Sequence, residues 1–524
     1  MENNKLKILF YTLFFIFLFL HLYLISSQRL YPFIDIPNHL TSANIYRFYG
    51  DAENDFINYY DIPSLLKSNM SHLFFTSMSV FPDVESGNKI FLCLYVLLLP
   101  LSLLFLIKYV KGNEWFSLSA FFLLYNFSCN WGFTDYIISI PLLIFFYITM
   151  CGYFEKGRIY FVIILVILSV LIFFVHFQTA LLTGLIYTVC NIYKLIKETK
   201  DGFFSYRKAV KDILVFTVIF LPVFILMVIS YSADSTGNEI PVFRFLTDYY
   251  KTEYFPDFPM RIASFFSEDG IHIFEDDKGA VFAAAASILI IFPVVLYIIL
   301  KLKRKSETVK NLKTDFIKIT CLICLICFLV LPNNLPGQAM VYQRFSVFAL
   351  LFLAVLGSIY FQNLKMKNFN KNIIIKSYTV IIILYTVLYF LLWCGYLKEF
   401  DRENKELTEE FFNITEPGAK LSGLIFERNF RRSPVYIHFQ SYYNIWKKGI
   451  ISTCLTDYRF TSIRRKVSYD LLPSYNEWVG LVRDYNNEYS NMDYLLVRNG
   501  SETKIEGFEI VKHTNKWYLY KNKK

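Results

Sequence analysis

Apolar runs of about 20 residues, the length a helix needs to cross a bilayer, recur along this chain. They lie near 7–26, 90–110, 115–131, 135–153, 159–175, 177–194, 212–232, 279–300, 316–332, 344–361 and 376–396. Inside hydrocarbon no water satisfies the backbone amides, so continuous apolar runs of this length must form helices. The pattern predicts a polytopic α-helical membrane protein with about eleven transmembrane helices. A membrane domain would occupy residues 1–396, with outer loops at 27–88 and 233–278, and a C-terminal domain residues 397–524. Composition agrees, since 55% of residues are hydrophobic, only 18% are charged and the mean hydropathy is +0.39. The net charge of +10 does not point to nucleic acid. The basic residues sit in short segments between apolar runs, where they set topology and face anionic lipid.

Those basic segments orient the chain. Lys5 and Lys7, Lys108 and Lys111, Lys156 and Arg158, the group from Lys194 to Lys211, the group from Lys301 to Lys318 and that from Lys365 to Lys376 fall on one side. The longer opposite segments carry few cations. By the positive-inside rule the N-terminus is cytoplasmic, the first span is retained as an anchor, and the two long loops and the tail are extracytoplasmic. No glycine-rich phosphate loop precedes a helix, so the inner segments offer no nucleotide site. Chemistry is therefore expected at the outer face, on a substrate already lodged in the membrane. The cysteines imply no disulfide framework, and Cys321, Cys324 and Cys327, spaced every third residue in one span, read as helix packing. In the tail, Pro434 to Phe439, Met492 to Val497, Phe508 to Val511 and Trp517 to Tyr520 read as strands, Asn499-Gly500 as a turn, and 398–412 and 474–489 as helices. These describe a small extracytoplasmic α/β domain packed on the membrane part.

Just beyond the first span lies Tyr31-Pro-Phe-Ile-Asp35-Ile-Pro-Asn-His39. If a helix starts at Asp35, then Asp35, His39, Ser42 and Tyr46 share one face, and Ile36, Leu40 and Ala43 share another. This is an amphipathic helix expected at the membrane surface. Asp35 then serves either as an N-cap or as an acid facing a cavity at headgroup depth. Arg344, after a short outer segment containing Tyr342 and Gln343, opens a span and suits a phosphate. His176 and Asp135 lie at tight outer turns. The loop 233–278 supplies Arg244, Lys251, Arg261, His272, Glu268, Asp269, Glu275, Asp276 and Asp277, a solvated charge mixture from which Arg261 could reach a phosphate. His438 reads as either an acceptor contact or a folded-domain surface residue.

This architecture, with Asp35-Ile-Pro-Asn-His39 in the first outer loop, resembles the GT-C superfamily of membrane glycosyltransferases. The resemblance spans the whole chain in architecture and rests on that short motif in sequence. It implies sugar transfer from a polyprenyl-phosphate donor to a lipid, glycan or protein acceptor, with inversion. Asp35 would be the general base, and His39, His176, Tyr342, Gln343, Arg344 and Arg261 would bind substrate. Some branches of that family hold a divalent ion such as Mg or Mn through paired acids; here Ile36 and Pro37 stand where a second acid would be expected. The rival expectation is a non-enzymatic transporter, flippase or envelope assembly protein. The absence of a disulfide framework and the Lys-, Asn- and Ile-rich character suit a bacterial inner membrane.

Overall fold

The computed structural model describes residues 2–62, 66–202, 205–234, 258–274, 276–303, 311–333, 339–364, 368–452, 456, 461, 463–466, 489–499 and 504–524. Arg244, Lys251, Glu275 and nearly all of the helix expected at 474–489 lie outside the described residues. The chain runs through α1 (Glu2–Ser26), α2 (Ile36–Arg47), α3 (Ser71–Thr76), α4 (Val84–Tyr109), α5 (Thr134–Lys156), α6 (Ile159–Val175) and α7 (Phe177–Lys200). It continues through α8 (Tyr206–Asp234), α9 (Asp277–Leu302), α10 (Leu312–Val330), α11 (Arg344–Gln362), α12 (Asn368–Glu403) and α13 (Ser441–Lys447). Among the described residues eight of these, α1, α4, α5, α7, α8, α9, α11 and α12, contain stretches long and apolar enough to cross a membrane. The protein is thus polytopic. The helix α6, at 17 residues, is apolar but shorter, and α10 carries Lys313, Asp315 and Lys318 in its first turns.

One expected span is not a continuous helix. Residues 115–131 form a 3-10 turn at Glu114–Leu118 followed by short helical pieces at Ser119–Leu123 and Phe127–Asn130. Side chains compete here with the helical ladder. Asn126 Oδ1 accepts from the Cys129 N–H at 3.1 Å, and Asn126 Nδ2 donates to Tyr95 Oη at 2.9 Å. Tyr95 in turn donates to the Leu124 carbonyl at 2.7 Å. The break is tolerated because protein groups, rather than water, satisfy the interrupted backbone.

The bundle has two chemically distinct ends. At one, Lys194 pairs with Asp212 at 2.8 Å, Lys197 and Lys318 reach Asp315 at 3.3 and 3.1 Å, and Lys313 reaches Glu155 at 2.9 Å. At the other end the first long loop and the C-terminal part close over the helices. There β1 (Tyr60–Asp61) in the loop pairs antiparallel with β4 (Arg464–Arg465) in the tail. A five-stranded mixed sheet follows the order β3 (Ile450–Ile451), β2 (Lys420–Ile425), β5 (Tyr494–Arg498), β7 (Trp517–Asn522), β6 (Phe508–His513). The pairs β2–β3 and β2–β5 are parallel, and β5–β7 and β6–β7 antiparallel. Three expected strands are present; the segment from Pro434 to Phe439 instead forms turns leading into α13.

A shared apolar core holds loop and tail together: Ile45, Phe56, Tyr60 and Leu73 pack with Leu424, Ile450, Leu495 and Val497. Buried Arg498 on β5 joins the end of α12 through Glu403, and Lys516 also bonds Glu403, at 2.8 Å. The last long helix is thereby tied directly into the sheet.

Candidate functional site

The interrupted segment positions Asp35. Because the short helix ends at Asn130, its last carbonyls are free to accept from elsewhere: Ile34 N–H donates to Asn130 O at 3.1 Å and Asp35 N–H to Trp131 O at 3.0 Å. Gly132 follows at φ +77°, and a Cβ there would stand 2.8 Å from the Asp35 nitrogen. Only a glycine satisfies both the conformation and the approach.

Asp35 occupies the N-cap position of α2, with proline in the first turn, yet its side chain makes no capping hydrogen bond. Its Oδ1 instead lies 3.4 Å from His438 Nε2; the acid side chain is 17% exposed and the imidazole 0%. His438, read from sequence as a domain-surface residue or acceptor contact, is therefore buried against the acid. Asp35, His39, Ser42 and Tyr46 are half-buried, while Ile36, Leu40 and Ala43 are buried in the core. A third face, beyond the two expected from sequence, meets the tail. Asn38 accepts from Ser441 Oγ at 3.2 Å, Thr41 donates to Ser441 O at 3.4 Å, and Asn44 donates to Asn444 O at 2.9 Å. The tail thus covers that face.

Arg344 begins α11 and is buried. Its Nη1 lies 2.9 Å from His176 Nε2 and 3.4 Å from Gln178 Oε1, its Nη2 donates to Ala339 O at 3.0 Å, and its guanidinium carbon sits 4.2 Å from the centre of the Phe133 ring. Guanidinium only donates, so we assign His176 Nε2 as acceptor, with the imidazole proton on Nδ1. That proton then faces Thr179 Oγ1 at 3.1 Å, which gives up the longer 3.4 Å bond in which Nδ1 would accept from the Thr179 N–H. Thr179 and Ser139 hydroxyls are 2.7 Å apart, Ser139 donates to Tyr136 O at 2.6 Å, and the Tyr136 hydroxyl closes the circuit on the Arg344 carbonyl. Burial, with the Arg344 guanidinium beside it, pushes the His176 pKa well down, so the ring is neutral.

No carboxylate among the described residues forms an ion pair with Arg344, although Asp35 lies within electrostatic reach of it. Among the described residues, two buried donors in this cluster, Arg344 Nε and Gln178 Nε2, meet no acceptor. The groups expected from sequence to bind phosphate, Arg344 and His176, are thus adjacent, and the acid expected as base is near them.

A second cluster borders Asp35. The ring of His39 meets His72 edge-on with centroids 5.5 Å apart, and His39 is within electrostatic reach of Asp135. Asp135 accepts from the Ser71 hydroxyl and, at 2.8 Å, from the His72 N–H. His72 Nε2 lies 2.9 Å from Asn88 Oδ1. Burial, helped by His39, pushes His72 down to about 3. Sequence reading did not single out His72, because nothing in its local pattern distinguishes it from a packed residue.

The remaining candidates are engaged elsewhere. Gln343 Nε2 donates to Asn333 Oδ1 at 2.8 Å. Arg261 donates to the carbonyls of Phe328 and Leu329 at 3.0 and 2.9 Å, at the C-terminal end of α10, and stacks on Tyr342 at 3.9 Å. A guanidinium at a helix C-terminus stabilises unpaired carbonyls and the helix dipole. Burial lowers His272 to about 4, and His272 O accepts from Asn130 Nδ2, which fixes this loop against the interrupted segment.

Among the described residues no group of three or more His, Cys, Asp or Glu side chains is placed to hold a metal. The donors do not fit Mg or Mn well. These ions favour carboxylate, carbonyl and water oxygens, whereas Asp35 has an imidazole beside it and Asp135 already accepts from Ser71 and His72. Compared with models of known protein families and with curated proteins, the chain matches none.

Proposed function

We propose that this protein is an integral membrane glycosyltransferase that moves a sugar from a polyprenyl-phosphate donor to an acceptor hydroxyl at the outer face of a bacterial inner membrane. In this reading about eleven spans cross the bilayer, the paired-charge end of the bundle is cytoplasmic, and the tail is extracytoplasmic. The observation that carries it is the buried Arg344 cluster. Among the described residues it has a cation with no anionic ion-pair partner and two donors without acceptors, within reach of an acid that does not cap its helix. An unpaired buried donor costs free energy, and phosphate oxygens would satisfy these.

The chemistry follows from the two charges. Asp35 takes the proton of the acceptor hydroxyl as its oxygen bonds to the anomeric carbon. The bond from that carbon to the phosphate oxygen breaks, and polyprenyl phosphate leaves with the electron pair. Arg344 and Gln178 hold the charge that develops there. A single displacement inverts the anomeric centre. No step requires a metal.

The test is transfer of radiolabelled sugar in proteoliposomes from polyprenyl-phosphate donors to lipid, glycan and peptide acceptors. Wild type should transfer, and Asp35→Asn should not. Equal transfer by both would remove Asp35 as base, and absence of transfer by wild type with every donor would overturn the reading.

A further inference from the structure

We infer that His438 is a positioning residue for Asp35, so that the tail contributes directly to the transfer site. The inference rests on the reading just given and adds to it a dependence on the C-terminal part. His438 Nε2 is 3.4 Å from Asp35 Oδ1, and its side chain has no exposure.

The segment that carries it is clamped from both sides. Towards the helices, Ser441 and Asn444 are bonded to Asn38, Thr41 and Asn44 of α2. Towards the sheet, Phe439 stacks on Trp517 with centroids 5.8 Å apart, and the Arg498 guanidinium carbon lies 3.5 Å from the centre of the Tyr436 ring. The turn itself is fixed by Ser441 N–H donating to His438 O at 3.0 Å. An imidazole held this way has a direction as well as a place.

That direction matters for a base. A lone carboxylate rotates about its last bond and presents either oxygen, whereas one that accepts an N–H on Oδ1 presents Oδ2 to the acceptor. In the transfer step the acceptor proton goes to Oδ2, and His438 keeps its own proton throughout. The imidazole therefore lowers the cost of reaching an aligned encounter without touching substrate. The 3.4 Å separation leaves room to tighten when substrate arrives.

The experiment uses the full-length protein in proteoliposomes with the polyprenyl-phosphate sugar that wild type accepts. For His438→Ala, kcat should fall by roughly 10- to 100-fold while the KM for donor stays within about twofold, because Arg344 is untouched. His438→Gln, which keeps an N–H donor at a similar reach, should recover most of the loss. A merely structural histidine would lower the amount of folded protein without this split, and the polar isostere would give no selective rescue. Infrared spectra provide a readout that needs no activity. The carboxylate stretch assigned to Asp35, by its loss in Asp35→Asn, should move in His438→Ala and return in His438→Gln. Unchanged kcat in a folded His438→Ala protein, or an unmoved Asp35 band, overturns the inference. If wild type transfers no sugar, the enzyme reading falls, and the infrared band alone decides whether His438 orients Asp35.

Discussion

The two ends of the helical bundle treat charge in opposite ways. At the Lys194 end, cations and acids neutralise each other directly: Lys194 and Asp212 are 6% and 5% exposed and 2.8 Å apart, and Asp315 serves both Lys197 and Lys318. In the candidate site at the Asp35 end, the two central charges have neutral neighbours. Arg344 meets an imidazole, an amide, a carbonyl and an aromatic face, and Asp35 meets His438. A buried pair satisfies itself and resists being opened, whereas a buried charge among neutral dipoles retains attraction for a ligand. The first end reads as architecture, and the second as a receptor for opposite charge.

Substitutions can break that contrast, beginning with the largest expected effect. Asp35→Asn should reduce transfer by about 10²- to 10⁴-fold, the usual contribution of a general base, measured in proteoliposomes at saturating donor. Arg344→Met should reduce it by roughly 10²- to 10³-fold yet leave the detergent-solubilised protein nearly as resistant to heat as wild type, because no anion is abandoned. Lys194→Met should do the reverse. It strands Asp212 in a buried position, which costs about 3–5 kcal/mol, so thermal unfolding should shift down markedly while kcat in the surviving protein is preserved. If Arg344→Met destabilises as much as Lys194→Met, the two ends do not differ in kind.

A smaller effect concerns pH. Asp269, in the segment before α9, is pushed up to about 7 by burial, against the opposing pull of the Ser264 hydroxyl and Arg261. Between the ordinary carboxyl value near 3.8 and about 7 the folded form holds more of this proton than the unfolded form. Its contribution to stability is therefore lost as pH rises through that window, with a slope of at most ~1.4 kcal/mol per pH unit. Asp269→Asn should remove this part of the dependence. The check is the difference in unfolding temperature between variant and wild type from pH 4 to pH 8; a difference that does not grow with pH would exclude Asp269 as the titrating group.

What could be read from sequence follows the range of the forces involved. Long apolar runs announce themselves because hydrocarbon acts on every residue within them, and helices occupy ten of the eleven expected positions, from α1 to α12. Asp35, His176 and Arg344 stood out because they interrupt or border those runs. The broken segment did not, since its Asn126 and Ser119 are compatible with an apolar helix until their side chains bond to main chain. Nor did the pairing of Asp35 with His438, which depends on how the tail docks. The stretch from Pro434 to Phe439 alternates like a strand, but it turns, with Phe439 N–H donating to Tyr436 O at 3.1 Å, because its aromatic rings pack both on the sheet and on each other. Such tertiary choices leave no local period.

The interrupted segment has a consequence for any attempt to stabilise this protein. A designer scanning for weak points would mend it, replacing Asn126 with a strong helix former and Gly132 with alanine so that residues 115–131 wind without a gap and run on through position 132 into α5. Each change follows ordinary helix preference, and together they would consume the carbonyls of Asn130 and Trp131 that Ile34 and Asp35 now use. The repaired molecule would trade the foothold of the Asp35 carboxylate for a tidier helix. Robustness and the placement of that acid compete for the same two oxygen atoms.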